Sequence, residues 1–354
     1  MATLETAPST GASLRGARLP RYAPALAGAL SIIAAVLVGM LLSWSIAGIV
    51  VLAVLIDLIG LTTWSRLVEN ARAAKNRLVT SLIWTSLGIA FVPLASLLYE
   101  AVSKGGSQIN GRFLSWTMRN VVNEPGGIYH AIIGTLLITF AATIISVPIG
   151  LLTAVYLVEY SAGSRTASWI RFLVDVMTGI PSIVAGLFAY ALFSLILGPG
   201  TQFGLGGSVA LSLLMMPILV RSSEEMLKLV PSDLREASYA LGVPKWKTII
   251  RVVIPTAMAG IITGITLAIA RVIGETAPLL IICGATPSLN YSLFHGQMAS
   301  LPVFIYYSYT QPGQNPEILQ NMAWGAALVL ILIVMILNIL ARLAGRFFAP
   351  KSGH

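Results

Sequence analysis

The chain contains little that could build a metal site or a disulfide framework. It has one cysteine, Cys283, and three histidines among 354 residues. A lone thiol cannot form an intrachain disulfide, and so few sulfur and imidazole ligands cannot supply a zinc cluster. The sequence therefore predicts neither a metal site nor a disulfide.

Charged residues are also scarce. Only 10% of the chain is charged, and the mean hydropathy is +0.86. Soluble domains carry about 25% charged residues, so this composition indicates an integral membrane protein. The net charge of +9 is basic. In a membrane protein such an excess first sets orientation, so we predict no nucleic-acid partner.

The usual signatures of catalysis are absent from the sequence. No Gly-x-x-x-x-Gly-Lys-Ser/Thr run occurs, so no phosphate-cradling nucleotide loop is present. No paired histidine ligands, no Ser/His or Cys/His arrangement and no carboxylate pair within a span support an intramembrane enzyme. We therefore predict that the chain is not itself an enzyme and holds no cofactor.

Long apolar runs dominate the chain. A hydrocarbon core about 30 Å thick needs roughly 20 apolar residues per helix, and eight stretches qualify. They predict an all-α integral membrane protein surrounded by lipid. The predicted spans are residues 24–43, 45–65, 78–99, 129–158, 171–197, 207–222, 256–283 and 320–345.

The distribution of basic residues indicates the orientation of these spans. With the N-terminus in the cytoplasm, the cytoplasmic segments and adjoining helix ends carry all but four of the 22 Lys and Arg residues. No cleavable signal pattern precedes the first span, so the N-terminus is predicted to be cytoplasmic. Eight spans return the chain to the same side, so the C-terminus is predicted to be cytoplasmic too. The predicted order is an N-terminal tail, a transmembrane hairpin, a linker, a transmembrane domain containing a polar loop at 223–251, and a C-terminal tail. These segments are residues 1–23, 24–65, 66–77, 78–345 and 346–354.

The polar loop between the sixth and seventh spans has helix signals. Ser232 is an available N-cap, and Glu236 suits the positive end of a helix. Gly242 ends this helix, and Pro244 suits the first turn of a second one. We predict a helix–glycine–helix elbow (residues 232–247) on the cytoplasmic face. It is either an ordinary amphipathic interfacial loop or a docking knob for another protein.

Two charged residues lie within the seventh span. Arg271 and Glu275 are four residues apart, which places them on one helical face roughly 20 Å from the cytoplasmic end. Burying such a charge costs about 2.5–3.5 kcal/mol, so these side chains are expected to face a partner or a watery path. Gly274 and Pro278 are also four apart. Because Pro278 cannot donate to the Gly274 carbonyl, the helix is predicted to weaken there.

These residues suggest a translocation path for an oxyanion. The guanidinium of Arg271 offers several N–H donors to a tetrahedral anion, and Thr276 adds a hydroxyl. Glu275 could accept a hydrogen bond from protonated phosphate, which fully ionised sulfate cannot donate. The alternative is a structural Arg–Glu pair that neutralises itself within the bundle.

A stand-alone secondary anion transporter or channel is a further alternative. In that case Arg271, Glu275 and Asp57 would form an ion or proton relay. Such a transporter is expected to have an inverted repeat, and the first half of the chain has no corresponding broken, charged span. The alternative also leaves the elbow without a role.

The elbow resembles the signature of binding-protein-dependent ABC importer permeases. That signature reads Glu-Ala-Ala, three residues, Gly, nine residues, then Ile-x-Leu-Pro, and here Ser238, Val252 and Ile254 depart from it conservatively. The matching segments are Glu236 to Ser238, Gly242, and Val252 to Pro255. The resemblance implies a coupling helix that docks in a cleft of a separate ATPase subunit. The implied contact residues are Glu236, Ala237, Ser238, Gly242, Pro244 and Lys245.

Longer stretches of the sequence resemble one particular type of permease subunit. ARVIGETAPLL (270–280), TGIPSIVAGLF (178–188) and residues 216–255 are similar to the PstA-type permease subunit of the phosphate-specific ABC importer. The resemblance covers roughly residues 129–345. It implies a six-helix MetI-like core and places Arg271 and Glu275 in phosphate passage.

The resemblance also implies partners and a location. These are a homologous second permease subunit, two ATPase subunits that bind ATP and Mg, and an extracytoplasmic phosphate-binding protein, in the bacterial plasma (inner) membrane. Phosphate rather than another oxyanion follows from the resemblance more than from charge chemistry. The hairpin 24–65 departs from the six-span pattern, giving about eight spans in all.

Overall fold

The computed structural model describes residues 18–121, 124–161 and 163–348, and this part of the chain is helical without any strand. The predicted all-α class is confirmed. The tail residues 1–17 and 349–354 lie outside the described residues.

The helices follow one another closely along the chain. In order they are α1 (Ala23–Leu41), α2 (Ile46–Val68), α3 (Ala71–Gly106), α4 (Gly111–Ser115), α5 (Tyr129–Val155), α6 (Arg165–Thr178), α7 (Ser182–Leu197), α8 (Gly204–Lys228), α9 (Ser232–Ala240), α10 (Lys245–Thr248), α11 (Ile254–Val272), α12 (Ala277–Ile282), α13 (Leu301–Thr310) and α14 (Pro316–Phe348). A first π turn (Tyr156–Tyr160) continues α5, and a second π turn (Ile249–Val253) joins α10 to α11. In the described part of the chain, seven helical segments are long and apolar enough to cross a membrane, or eight if α6 and α7 together form one bent span.

The chain divides into two compact units, Met1–Leu98 and Tyr99–His354, with the boundary inside α3. In the first unit, α1 packs on α2 through a face of small buried residues at every fourth position. This spacing brings two helix backbones close together. The face consists of Ala23, Ala27, Ser31, Ala35 and Gly39.

The turn between α1 and α2 reverses the chain within four residues. Ser43 has a φ of 51°, and the Ser45 hydroxyl accepts a hydrogen bond from the Gly48 N–H at 3.4 Å. Asp57 lies half-buried in α2, with its carboxylate toward Gly28 of α1. Asp57 Oδ1 has no hydrogen-bond partner among the described residues.

Glu69 holds the ends of the first unit's three helices together. Its carboxylate accepts hydrogen bonds from the Leu19 N–H at 2.9 Å, the Ser65 hydroxyl at 2.6 Å and the Arg77 guanidinium at 2.9 Å. The hydrogen bond from Arg77, followed by that from Ser65, lowers the pKa of Glu69 to about 2. The charged form of Glu69 therefore stabilises this junction.

The second unit is built around α8. Helix α5 runs along α8, α11 packs against α8 and α14, and α7 packs against α8 and α12. Gly150 allows the closest approach of α5, since a methyl group there would lie 2.8 Å from the Leu219 Cβ. The buried core includes Ile138, Leu211, Met215, Leu219, Val272, Leu279 and Ile282.

Four of the predicted spans differ from the structure in shape or length. The third, 78–99, forms the middle of the longer helix α3. The fifth, 171–197, is bent by 106° between α6 and α7. The reason is Pro181, which cannot donate to the helix ladder and disfavours a helical Ile180. The sixth, 207–222, extends to Lys228, so the predicted polar loop begins inside a helix. The seventh, 256–283, is two helices separated by a break.

Candidate functional site

The helix break of the seventh span comprises residues 273–276. Helix α11 ends at Val272, and the Glu275 N–H donates to the Val272 carbonyl at 3.1 Å. Helix α12 then restarts with Pro278 in its first turn. Proline suits that position because first-turn N–H groups have no intrahelical acceptor. The weakening predicted from Gly274 and Pro278 is a complete interruption of the helix.

Arg271 occupies the last turn of α11 and is exposed in this single chain. Glu275 is half-buried and lies in the helix break. The predicted sharing of one helical face is therefore wrong, because the helix ends before Glu275. Among the described residues neither side chain has an ion-pair partner, so the self-neutralising pair does not form.

Thr276 immediately precedes α12 at its N-cap position. Its side chain makes no capping hydrogen bond, and the residue is half-buried. Its backbone carbonyl accepts from the Leu280 N–H at 3.0 Å. The hydroxyl of Thr276 is therefore not used by the helix that it begins.

Close packing fixes the position of the helix break. A methyl group at Gly186 of α7 would lie 2.5 Å from the Pro278 Cα, and one at Gly206 of α8 would lie 2.5 Å from the Ile282 Cγ1. Helix α12 fits against α7 and α8 only because these positions lack side chains. Ile273, at the start of the break, is also buried. The backbone around Arg271 is thus held by the core.

The elbow has the predicted helix–glycine–helix form. Gly242 has a φ of +76°, and its N–H donates to the Tyr239 carbonyl at 2.9 Å. The Val243 N–H donates to the Ser238 carbonyl at 3.2 Å. These two hydrogen bonds form a Schellman motif, in which the left-handed backbone of Gly242 ends α9.

Two details of the predicted elbow differ in the structure. Pro231, not Ser232, is the N-cap of α9, and the Ser232 hydroxyl donates to Asp233 Oδ1 at 3.3 Å instead. Pro244 is the N-cap of α10 rather than its first helical residue. Both differences shift a helix start by one position and leave the elbow intact.

The predicted contact residues differ in exposure. Ser238 is buried and shares a 2.8 Å hydrogen bond with the Thr248 hydroxyl, which ties α9 to α10. Leu241 lies at the tip of the elbow with 83% of its surface exposed. Apart from Ser238, the predicted contact residues are exposed: Glu236, Ala237, Gly242, Pro244 and Lys245. Further exposed apolar side chains of the elbow are Leu234, Tyr239 and Trp246.

Sequence reasoning missed Arg235, which precedes the matched signature. Its guanidinium donates to Glu159 Oε1 at 2.9 and 3.0 Å and to the Leu227 carbonyl at 3.0 Å. The partner glutamate is 76 residues away in sequence. The local sequence therefore held no signal for this pair.

Glu224 and Lys228 lie at helical spacing in the sequence, which predicts a solvated surface pair, but Glu224 is buried in the structure. Its side chain is only 3% exposed and accepts from Arg171 at 2.8 Å and from Lys228 at 2.7 Å. A neighbouring pair joins Arg221 to Asp175. These contacts tie α6 to α8 and explain why α8 continues past residue 222.

Comparison with known proteins identifies the family. Residues 146–354 match the family described as binding-protein-dependent transport system inner membrane component. The chain is 48% identical to the phosphate transport system permease protein PstA 1 of Mycobacterium tuberculosis over 284 residues, covering 79% of this chain and 90% of that protein. It is 38% identical to PstA of Haemophilus influenzae over 282 residues, covering 79% and 96%.

Two solved structures share the fold. A chain of the MetNI methionine ABC transporter, in an inward-facing conformation, matches with a TM-score of 0.51 at 21% identity over 63% of this chain and 96% of that one. A chain from a bacterial alginate ABC transporter complex matches with a TM-score of 0.55 at 14% identity over 82% and 99%. The chain therefore belongs to the binding-protein-dependent transport system inner membrane components and, within them, to the PstA permease proteins.

Proposed function

We propose that this chain is the transmembrane permease subunit of an ATP-driven importer of inorganic phosphate and forms half of its translocation path. The observation that carries this proposal is the 48% identity to a phosphate transport system permease over nine tenths of that protein's length. The absence of a nucleotide-binding loop from the sequence is consistent with energy supplied by another polypeptide.

Arg271, Glu275 and Thr276 would contact phosphate during passage. Arg271 is exposed within an apolar span and has no ion-pair partner among the described residues, so its N–H donors are free to bind an oxyanion. Gly274 and Pro278 frame an interrupted helix, where backbone groups are available to a polar substrate. Glu275 would distinguish protonated phosphate from sulfate.

The elbow would dock on the ATPase. Exposed apolar side chains at its tip, above all Leu241, fit a desolvated contact with a cleft of another protein. The Schellman motif and the Ser238–Thr248 bond make the elbow rigid enough to be pushed as a unit. Its second helix leads directly through the second π turn into α11, which carries Arg271.

The complete importer would contain further chains. We include a homologous second permease subunit, two ATPase subunits that bind ATP and Mg, and an extracytoplasmic phosphate-binding protein. The basic residues of the sequence favour cytoplasmic termini and a cytoplasmic elbow in the bacterial plasma membrane. The elbow is then on the same side as the ATP.

Substrate selectivity tests this proposal. Vesicles containing the full importer, supplied with binding protein outside and ATP inside, are expected to accumulate labelled phosphate, and excess sulfate, molybdate or phosphonate should not compete. Competition by another oxyanion at equal concentration would assign the chain to that anion. The Glu275→Gln variant is expected to lose phosphate transport or admit sulfate. Unchanged transport and unchanged sulfate rejection would remove Glu275 from the mechanism.

A further inference from the structure

Arg235 connects the elbow to the ends of two membrane helices. Besides Glu159, it donates to the carbonyls of Val230 at 2.6 Å and Leu227 at 3.0 Å. Leu227 lies in the last turn of α8, where a cation is favourable, and Val230 lies in the linker between α8 and α9. One side chain of α9 therefore binds the ends of both α8 and α5.

Glu159 is buried at the elbow end of α5. Its side chain is 5% exposed, and that of Arg235 is 18% exposed. A buried charge without its partner is strongly unfavourable, so the pair must stay together when either helix moves. Glu159 also belongs to the first π turn, and π turns interrupt the regular helix ladder and are frequent at functional sites.

The second helix of the elbow contacts the same π turn. Lys245 Nζ of α10 lies 5.0 Å from the ring centre of Tyr160. Because the Ser238–Thr248 bond joins α9 to α10, the two contacts belong to one rigid body. The elbow thus has two connections to α5 that do not run along the chain, in addition to its covalent connection to α11.

We infer that Arg235 and Glu159 are positioning residues that transmit movement of the elbow to α5. This inference rests on the proposed docking of the elbow on an ATPase. A displacement of the elbow would then move α5 and α11 together. Each helix would bend at its own π turn. Because α5 and α11 both pack on α8, joint movement changes the packing around the helix break.

The chain offers a matched control for this inference. Glu224, like Glu159, is a buried glutamate paired with an arginine at the same end of the bundle. Its partners Arg171 and Lys228 belong to α6 and α8, and none of them lies in the elbow. Arg171 also donates to the Leu157 carbonyl of the first π turn at 3.3 Å, a hydrogen bond that does not involve Glu224. Glu224→Gln therefore removes a comparable buried charge while that bond and the Arg235–Glu159 pair keep their donors and acceptors.

The experiment measures ATP hydrolysis and phosphate uptake in the same vesicles containing the full importer. For Glu159→Gln and for Arg235→Gln we expect the ATPase to stay bound and to hydrolyse ATP. We expect phosphate transported per ATP to fall by roughly tenfold, within the range for residues that carry coupling. The double variant is expected to be no worse than either single one, and Glu224→Gln to keep the wild-type ratio.

Three outcomes would overturn the inference: a wild-type ratio in Glu159→Gln, an equal loss of ratio in Glu224→Gln, or release of the ATPase by Glu159→Gln. The last result would mean that the pair only shapes the elbow. Failure of the docking itself is separately visible in Leu241→Asp, which leaves the pair intact. If ATPase binding were unaffected in that variant, the elbow would not be the docking site.

Discussion

The elbow and the helix break differ in whether their charged side chains form ion pairs. Around the elbow, buried acids are paired with arginines, as in Arg235–Glu159 and Arg171–Glu224. Near the helix break, Arg271 has no ion-pair partner among the described residues although it lies in an apolar span. Paired charges fix helices in place, whereas an unpaired charge in a membrane is retained where another molecule completes it. In the proposed function, this difference separates the mechanical part of the chain from its substrate-binding part.

The largest effect is expected from Arg271→Gln, which removes the unpaired charge. A hydrogen bond to a charged group contributes about 1.5–3 kcal/mol, so losing several should reduce phosphate uptake by roughly a hundredfold or more. Assembly should be unaffected, because no described ion pair depends on Arg271. Labelled-phosphate uptake and copurification of the partner subunits measure the two quantities. Arg342→Gln, exposed in α14 and outside the elbow and both π turns, is the control and should keep wild-type uptake. Wild-type uptake in Arg271→Gln would place the path elsewhere.

Gly242→Val should have the next largest effect, at the mechanical end. A β-branched residue at a φ of +76° costs about 1–2 kcal/mol and distorts the end of α9. Either the ATPase no longer assembles or its hydrolysis no longer drives uptake. Gly242→Asn is the matched control, since asparagine tolerates this φ, and it should keep most of the activity. Normal uptake with normal ATPase stimulation in Gly242→Val would contradict a docking role for the elbow.

Gly186→Val should have an intermediate effect by moving the helix break without altering charge. The new side chain would collide with the Pro278 backbone, and overpacking of this kind costs about 1–3 kcal/mol. Uptake is expected to fall while Arg271 remains present. Gly60→Val adds the same side chain to α2, where the added Cβ would have no atom within 4 Å apart from the backbone of its own helix. This variant should have little effect. Equal losses in both variants would show that the packing of α12 is not special.

The smallest effect is expected at Glu69, in the other unit. Its lowered pKa means that the stabilisation is fully present above the ordinary glutamate pKa of 4.5 and is lost as the pH falls toward about 2. The thermal midpoint of Glu69→Gln should therefore lie below that of the wild type at pH 7. The two midpoints should converge as the pH approaches about 2. A constant difference across this range would mean that the charge of Glu69 is not responsible.

The class of fold could be predicted because apolar runs and basic loops follow directly from the thickness and polarity of a membrane. The elbow could be predicted because Gly242 and Pro244 act on the local backbone. The prolines at the bend (Pro181) and at the helix break (Pro278) are visible in the sequence. The angle of the bend and the length of the break, however, depend on how α7, α8 and α12 pack together. Proline shows where a helix can be interrupted and does not show how far the chain turns.

The paired acids could not be predicted from the sequence. Glu159 and Arg235 meet only because the fold brings the π turn after α5 next to the first turn of α9, and the local sequence of each is that of an ordinary polar helix end. The charged neighbours of Glu224 in the sequence indicate a solvated position, whereas in the fold the residue is buried and paired with Arg171 of α6. Long-range pairing of this kind depends on topology, which periodicity does not determine.

The most direct test of the central claim is phosphate accumulation in vesicles with and without the ATPase subunits. The claim is that energy enters through the elbow from a separate motor and acts on the helix break near Arg271. We predict that vesicles with both permease subunits, binding protein and ATPase accumulate phosphate against its gradient when ATP is inside. Without the ATPase they should not. Accumulation against the gradient in its absence would contradict the account.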